Sequence, residues 1–338
     1  MGAIRGNIIN QSRSCLQDVI PLETPYSVVI DPCNVCNFKC NFCAVQKAKN
    51  ETSFKRGMMS PELFRKIIDD MKEFPDRLKV LRLTGCGEPM LNADFPNMIE
   101  YAKQKGISDF IETVTNGSCL TPQLNTRLAQ CGLDRIRISI EAITEEGYKE
   151  TSSVQINYER LLEQINDLYD KCKGHCEIYI KTVDAAVKTK EDQERFYSLF
   201  EDKCDKIFID KVIPLWTDWS DINDYYDIEK DSGLHGQEVK HVSICPYPFY
   251  SCIINIDGEV TACCADWKRM IVFGNVSNNS LYDIWNGNRM KRFWIEMLKD
   301  GRSSIEMCRK CALPDYDCND DIDSYSKQIL NRVTVRGV

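Results

Sequence analysis

The sequence predicts an α/β fold: a partial (β/α)6 barrel followed by a smaller carboxyl-terminal domain built from a β-hairpin plus a helix. Three observations carry this prediction. Six short β-branched or aromatic runs alternate with helical patterns, that alternation stops near Pro214, and the densest run of cysteines begins only after it.

The strand-like runs are Tyr26–Ile30, Lys79–Thr84, Phe110–Thr115, Arg135–Ile140, Glu177–Thr182 and Lys206–Asp210. Between the first two, Ser60 is a good helix cap, with Glu62 and the periodic Leu63, Ile67, Ile68 and Met71 behind it. A second helical pattern runs from Tyr158 to Tyr169. Repeated strand–helix units imply a parallel sheet with right-handed crossovers, whose ligand site lies at the carboxyl ends of the strands. Six units suit an open barrel. The expected division is an N-terminal extension (1–25), the barrel (26–214), a connector (215–242), the cysteine-dense domain (243–325) and a loose tail (326–338). The connector carries Trp216, Trp219, Asp221, Tyr225 and Tyr226.

With 338 residues, 43% of them hydrophobic, the chain has material for one large core and a smaller module, at ~100 to 200 residues per domain. A formal net charge of −8 offers no basic field for a nucleic-acid backbone. No apolar run approaches the ~20 residues of a membrane span, and residues 1–21 lack the basic start and apolar stretch of a signal peptide. A cytoplasmic protein with a small-molecule substrate, no nucleic acid and no membrane is expected. Eighteen cysteines in a reducing compartment favour metal-bound thiolates over disulfides. Cys15, Cys119, Cys131, Cys172, Cys176 and Cys204 show no ligand spacing and read as small buried apolar residues.

Directly after the first strand comes Asp31-Pro-Cys33-Asn-Val-Cys36-Asn-Phe-Lys-Cys40-Asn-Phe-Cys43. Composition alone would give a Cys-x3-Cys-x2-Cys spacing only about 0.05 times in such a chain, so the loop is a metal site by design. Zinc with Cys33 as a fourth ligand is one occupant that this spacing allows. At the next strand ends stand Thr84-Gly-Cys-Gly-Glu-Pro89, Thr115-Asn-Gly117 and Ser139-Ile-Glu141, with Lys181 near the end of the fifth strand.

These segments resemble the radical S-adenosylmethionine (SAM) superfamily, whose Cys-x3-Cys-x-aromatic-Cys motif matches Cys36, Cys40, Phe42 and Cys43 and leaves Cys33 outside. The resemblance implies a [4Fe-4S] cluster on three thiolates. Its open iron chelates the SAM amino and carboxylate groups, and one electron breaks the sulfonium bond to give a 5′-deoxyadenosyl radical. It further implies that Phe42 sets backbone against the adenine. Gly85 and Gly87 let the chain approach the methionine end, and Glu88 accepts from its amino group. Asn116 and Ser139 lie near SAM, and Lys181 faces its carboxylate. Cys86 departs from the family's Gly-Gly-Glu-Pro pattern.

The carboxyl-terminal region reads Ser243-Ile-Cys245, then Ile254-Asn-Ile-Asp-Gly-Glu-Val-Thr-Ala-Cys263-Cys264, and later Cys308-Arg-Lys-Cys311. Asp257-Gly258 between apolar residues is a hairpin signal, so thiols before and after the hairpin can converge. This stretch is similar to the SPASM and shorter twitch modules of radical SAM enzymes, through Cys245, Asp257-Gly258, Cys263, Gly274-Asn275, Trp285 and the Cys308/Cys311 pair. The gaps are most like the one-cluster twitch module of the aminocyclitol dehydrogenase of butirosin biosynthesis. The resemblance implies one auxiliary [4Fe-4S] cluster on Cys245, Cys263, Cys308 and Cys311. Cys252, Cys264 and Cys318 are spare thiols, and zinc is the alternative occupant here too.

The expected reaction is hydrogen abstraction from a hydroxyl-bearing carbon of a small polar substrate such as a sugar or aminocyclitol. Dehydrogenation or epimerisation follows, with an electron donor such as flavodoxin or ferredoxin as partner. Peptide or protein side-chain oxidation, as in sulfatase maturases, is the alternative. The roughly 25 residues before the first strand are not expected to hold a peptide-recognition domain, but such maturases also lack one, so this does not exclude it. A non-catalytic iron–sulfur or zinc scaffold would not need the turns at the other strand ends. Catalytic residues are not legible; His175, His235 and His241 show no catalytic spacing.

Overall fold

A computed structural model describes residues 3–6, 14–43, 45, 55–213, 231–317 and 320–335. The aromatic residues of the connector and Cys318 lie outside the described residues. The strands are β1 Ile4–Arg5, β2 Ser27–Ile30, β3 Val80–Leu83, β4 Ile111–Thr115, β5 Arg135–Ser139, β6 Glu177–Val183, β7 Lys206–Asp210, β8 Ser251–Ile254, β9 Glu259–Thr261 and β10 Val272–Asn275. They form a single ten-stranded sheet in the order β1-β7-β6-β5-β4-β3-β2-β8-β9-β10. The six expected barrel strands are β2 to β7, all parallel to their neighbours.

The expected helices form where the sequence signals lie. Ser60 accepts the Leu63 N–H at 3.2 Å and starts the helix Pro61–Asp70, whose Phe64, Ile67 and Ile68 are buried. Thr121, Thr144, Asn157 and Thr189 cap later helices in the same way, and Tyr158–Cys172 lays Leu161, Ile165 and Leu168 into the core.

The two faces of the sheet differ in chemistry. On the helix side Val28, Ile30, Leu81, Leu83, Ile136, Ile138, Ile178 and Ile180 are at most 1% exposed. The alternate positions, which share the concave face by register, are Val29, Arg82, Glu112, Arg137, Tyr179, Lys181 and Asp210. Parallel strands buried on both faces read as continuous apolar runs; here the alternation shows that the concave face is not a packed core. Arg82 keeps 44% of its side chain accessible although its strand has a neighbour on either side. Glu112, 5% accessible, receives Arg82 at 2.7 Å, Arg135 at 3.1 Å and Arg137 at 3.2 Å, which hold its carboxyl below the usual range against the cost of burial.

Two expectations of domain organisation change. The hairpin strands are not a separate sheet, because β8 pairs in parallel with β2, from Ser27 opposite Ser251 to Ile30 opposite Ile254. Residues 326–338 are also not a loose tail as far as they are described. Ser326–Val335 is a helix that packs on the helix Asn288–Asp300, with Ile329 at 0% and Val333 at 1% exposure. Ile329 and Val333, four apart, make this face with Leu330 packed beside it, and helical packing orders it.

The carboxyl-terminal module has an aromatic hub. Trp285, fully buried, donates its indole N–H to the Leu22 carbonyl at 2.9 Å and meets Trp294 edge-on at 5.2 Å. Trp294 donates to the Pro248 carbonyl at 2.8 Å and stacks on Phe249. Among the described residues, no helix is long and apolar enough to cross a membrane.

If the terminal helix is part of the core, Ile329→Ala leaves a cavity and costs about 2–5 kcal/mol in denaturant unfolding. A change below about 0.5 kcal/mol, as for a surface position, would show a tail that does not dock.

Candidate active site at the strand carboxyl ends

The loop after β2 is held by its neighbours' backbones. Asp31, 2% exposed, accepts the Cys33 N–H and the Cys86 N–H, each at 3.2 Å, and so ties the first cysteine loop to the turn after β3. A Cβ on Gly85 would lie 2.1 Å from the Asp31 carboxyl carbon, and one on Gly87 would lie 2.3 Å from the Cys33 carbonyl oxygen. Only glycine fits at these two approaches. Burial pushes the Asp31 carboxyl up to about 6, with the two N–H donors opposing. The folded state therefore binds this proton more tightly than the unfolded chain does, and ionisation costs stability as pH rises from about 4 through about 6.

Within the loop, Cys36 Sγ accepts the Phe38 N–H at 3.4 Å, and Cys40 Sγ lies 3.2 Å from Ser152 Oγ. Burial raises the Cys36 and Cys40 thiols, and nearby Glu141 adds to both shifts. Cys33 is fully buried, with its thiol donating to the Val35 carbonyl. The Phe42 ring packs against the core, half-buried.

Glu88 does more locally than the sequence shows. It is 2% exposed and accepts from Met90 N, Thr115 Oγ1 and Asn116 N at 3.1, 2.7 and 2.7 Å. These three bonds join the turns after β3 and β4 and leave acceptor capacity on the carboxylate. Asn116 then reaches across to the cysteine loop, donating to Asn37 Oδ1 at 3.1 Å, with Cys36 Sγ 3.8 Å away. Ser139 closes β5 opposite Lys181. Lys181 Nζ lies 3.3 Å from Asp210 Oδ2 rather than standing alone.

The second thiol set comes together as its spacing predicts. Asp257-Gly258 makes the hairpin turn, with Gly258 at φ +86°, and Gly258 donates to the Asn255 carbonyl at 2.9 Å. Cys245, Cys263, Cys308 and Cys311 then line one cavity with Pro248, Ala262, Met307 and Leu313. Cys263 Sγ accepts the Ala265 N–H at 3.2 Å, the same two-residue pattern as at Cys36. Burial pushes the Cys308 thiol up to about 12 and the Cys311 thiol up to about 11, so each stays a neutral thiol until a metal displaces its proton.

This donor set fits an iron–sulfur cluster better than one zinc ion. Zinc draws its thiolates to about 2.3 Å. Among the described residues, no three His, Cys, Asp or Glu side chains converge as a single-ion site. The four thiols instead line a space shared with apolar side chains and Arg302, and the Cys263 sulfur carries an N–H donor, features that suit cluster ligation. Cys252 is fully buried on the helix side of β8, while Cys264 is exposed.

Sequence reading missed Asp31, Arg82, Asp210, His235 and Asp317. The period-2 alternation of the strands was a usable signal for Arg82 and Asp210; nothing local marks His235 or Asp317.

Residues 30–184 match the radical SAM superfamily, and residues 245–312 match the iron-sulfur cluster-binding domain called SPASM. The tungsten-containing aldehyde ferredoxin oxidoreductase cofactor-modifying protein of Pyrococcus furiosus is 24% identical over 314 residues, covering 83% of this chain and 85% of that protein. Streptococcus suis SuiB bound to precursor peptide SuiA has the same fold, with a TM-score of 0.61 at 16% identity over 91% of this chain and 74% of that one. BtrN in complex with AdoMet and 2-DOIA aligns with a TM-score of 0.51 at 16% identity, over 85% of this chain and 92% of that one. With its three-cysteine loop at the end of β2 and four thiols around a second cavity, the chain is a radical SAM enzyme carrying a carboxyl-terminal SPASM domain.

Proposed function

We propose that the enzyme abstracts a hydrogen atom from a hydroxyl-bearing carbon of a small polar substrate, of sugar or aminocyclitol type, for dehydrogenation or epimerisation. The observation that supports this reading is the polar concave face of the barrel sheet. Arg82, Lys181 and Asp210 line it, and His235 and Asp317 adjoin its rim. A hydroxyl-rich ligand can exchange its water for such donors and acceptors, whereas an apolar ligand would strand them.

In this reading Cys36, Cys40 and Cys43 hold the cluster that supplies the 5′-deoxyadenosyl radical from SAM. Phe42, Gly85, Gly87, Asn116, Ser139 and Lys181 border the SAM site. Glu88 holds that site's turns in place. Cys245, Cys263, Cys308 and Cys311 hold one auxiliary cluster, and a cytoplasmic flavodoxin or ferredoxin is the electron donor.

Iron and sulfide quantitation with Mössbauer spectra tests the cluster assignment. The Cys36/Cys40/Cys43 triple Ala variant should keep about four iron and four sulfide per chain. About eight would mean two auxiliary clusters, and none would remove the second site.

Reduced, reconstituted enzyme incubated with SAM and perdeuterated sugars or aminocyclitols should place one deuterium in 5′-deoxyadenosine and yield a ketone or an epimer. Label arriving only from deuterated peptides would overturn the small-substrate reading in favour of peptide modification.

A further inference from the structure

We infer that His235, oriented by Asp210 and faced by Asp317, is the catalytic base that takes the substrate hydroxyl proton. The inference rests on the reaction class proposed above and selects its dehydrogenation branch.

Three distant pieces of chain build the group. Asp210 ends β7 and is 3% exposed, His235 comes from the described end of the connector, and Asp317 ends the helix Leu313–Asp317 beyond the Cys308/Cys311 pair. His235 Nδ1 lies 2.9 Å from Asp210 Oδ1, and Lys181 steadies that carboxylate from β6. A carboxylate at Nδ1 favours the proton there and leaves Nε2 as the acceptor. On that side Asp317 Oδ1 stands 3.6 Å away, longer than a hydrogen bond, and Tyr247 holds its other oxygen at 2.7 Å. The two side chains remain 21% and 26% accessible. The ionisable groups around the ring are thus Asp210, Lys181, Asp317 and Tyr247. After proton transfer, the two carboxylates stabilise the imidazolium.

Anchoring the connector does not require this ring. Lys211 N donates to the Leu234 carbonyl at 2.8 Å, Leu234 N to the Tyr316 carbonyl at 2.9 Å, and Gln237 Nε2 to the same Tyr316 carbonyl at 2.6 Å. The position also suits the chemistry: Lys181 and Asp210 lie toward the carboxyl ends of β6 and β7, the end of the sheet that carries the cysteine loop, and Tyr247 follows Cys245 by two residues.

The atoms and electrons balance. The substrate carbon loses a hydrogen atom to the deoxyadenosyl radical. The resulting hydroxyalkyl radical then gives its O–H proton to His235 Nε2 and one electron to the auxiliary cluster, so the C–O single bond becomes C=O. Overall the alcohol loses two electrons and two protons: one hydrogen atom ends in 5′-deoxyadenosine and one proton on His235. The electron passed to the auxiliary cluster would offset the one that a flavodoxin or ferredoxin supplies to cleave SAM to methionine.

The test uses holoenzyme with ring-deuterated aminocyclitol and perdeuterated glucose, comparing ketone formed with deuterated 5′-deoxyadenosine. His235→Gln and Asp210→Asn should lower that ratio about 10²-fold or more, while His175→Gln, at the opposite pole of the barrel, leaves it unchanged. An unchanged ratio in His235→Gln would overturn the assignment. No deuterium transfer in wild type from either compound would instead refute the small-alcohol reading.

A second measurement needs neither substrate nor variant activity. In ¹⁵N-histidine-labelled holoenzyme, which has three histidines, the signal missing from His235→Gln should show the tautomer protonated at Nδ1. Asp210→Asn should shift that proton toward Nε2. A His235 ring that carries its proton on Nε2 in the wild type excludes it as the base.

Discussion

The parallel pairing of β8 with β2 is the constraint on which the rest of the structure depends. β2 begins the barrel, and an open barrel leaves its outer edge with unpaired N–H and C=O groups. β8 occupies that edge in register over four residue pairs, and the Asp31 N–H donates to the Ile254 carbonyl at 2.9 Å just where the first cysteine loop begins. Each such bond contributes only about 1 kcal/mol net, so their main effect is geometric. They set the hairpin, and with it Cys263, beside the loop that carries Cys36, Cys40 and Cys43. A slip of one residue would turn Cys252 from the helix side to the concave side and move the second thiol set out of place.

The sheet divides stability and chemistry between its faces. The helix side is packed with Ile, Leu and Val and supplies most of the buried apolar area. The concave side instead concentrates charge, and its buried groups are tolerated because each has partners: three arginines for Glu112, backbone and hydroxyl donors for Glu88, two N–H groups for Asp31. Removing one partner would leave a desolvated charge, which is why these networks also rigidify the turns around the SAM site. The aromatic hub of Trp285 and Trp294 does the corresponding work for the carboxyl-terminal module, where two small hairpin strands could not bury enough surface alone.

Both thiol sites use the same local device. A cysteine sulfur accepts the N–H of the residue two positions on, at Cys36 and again at Cys263. That turn keeps the chain close to the sulfur and excludes competing carbonyls. Lys181, Asp210, His235, Asp317 and Tyr247 add side-chain contacts to the backbone bonds that link the barrel to the second domain. The connection makes the second domain part of the cavity wall rather than an appendage.

By itself the sequence determined the six barrel strands, the capped helices, the hairpin and the two cysteine sets, because each is written in spacing or propensity within a dozen residues. That Cys33 falls outside the first set is what the resemblance to the three-cysteine motif implies, and spacing alone left it open. The tertiary structure alone decided that the hairpin continues the barrel sheet, because strand register depends on which edge is free. It also decided that Ser326–Val335 docks as a helix, because two apolar residues specify a face only once a partner surface exists. It tied Glu88 to the turn after β4, since donors from β4 come within reach only after the strands pair. His235 meets Asp210 and Asp317 for a similar reason: residues far apart in the chain converge through packing, and no local pattern encodes that convergence.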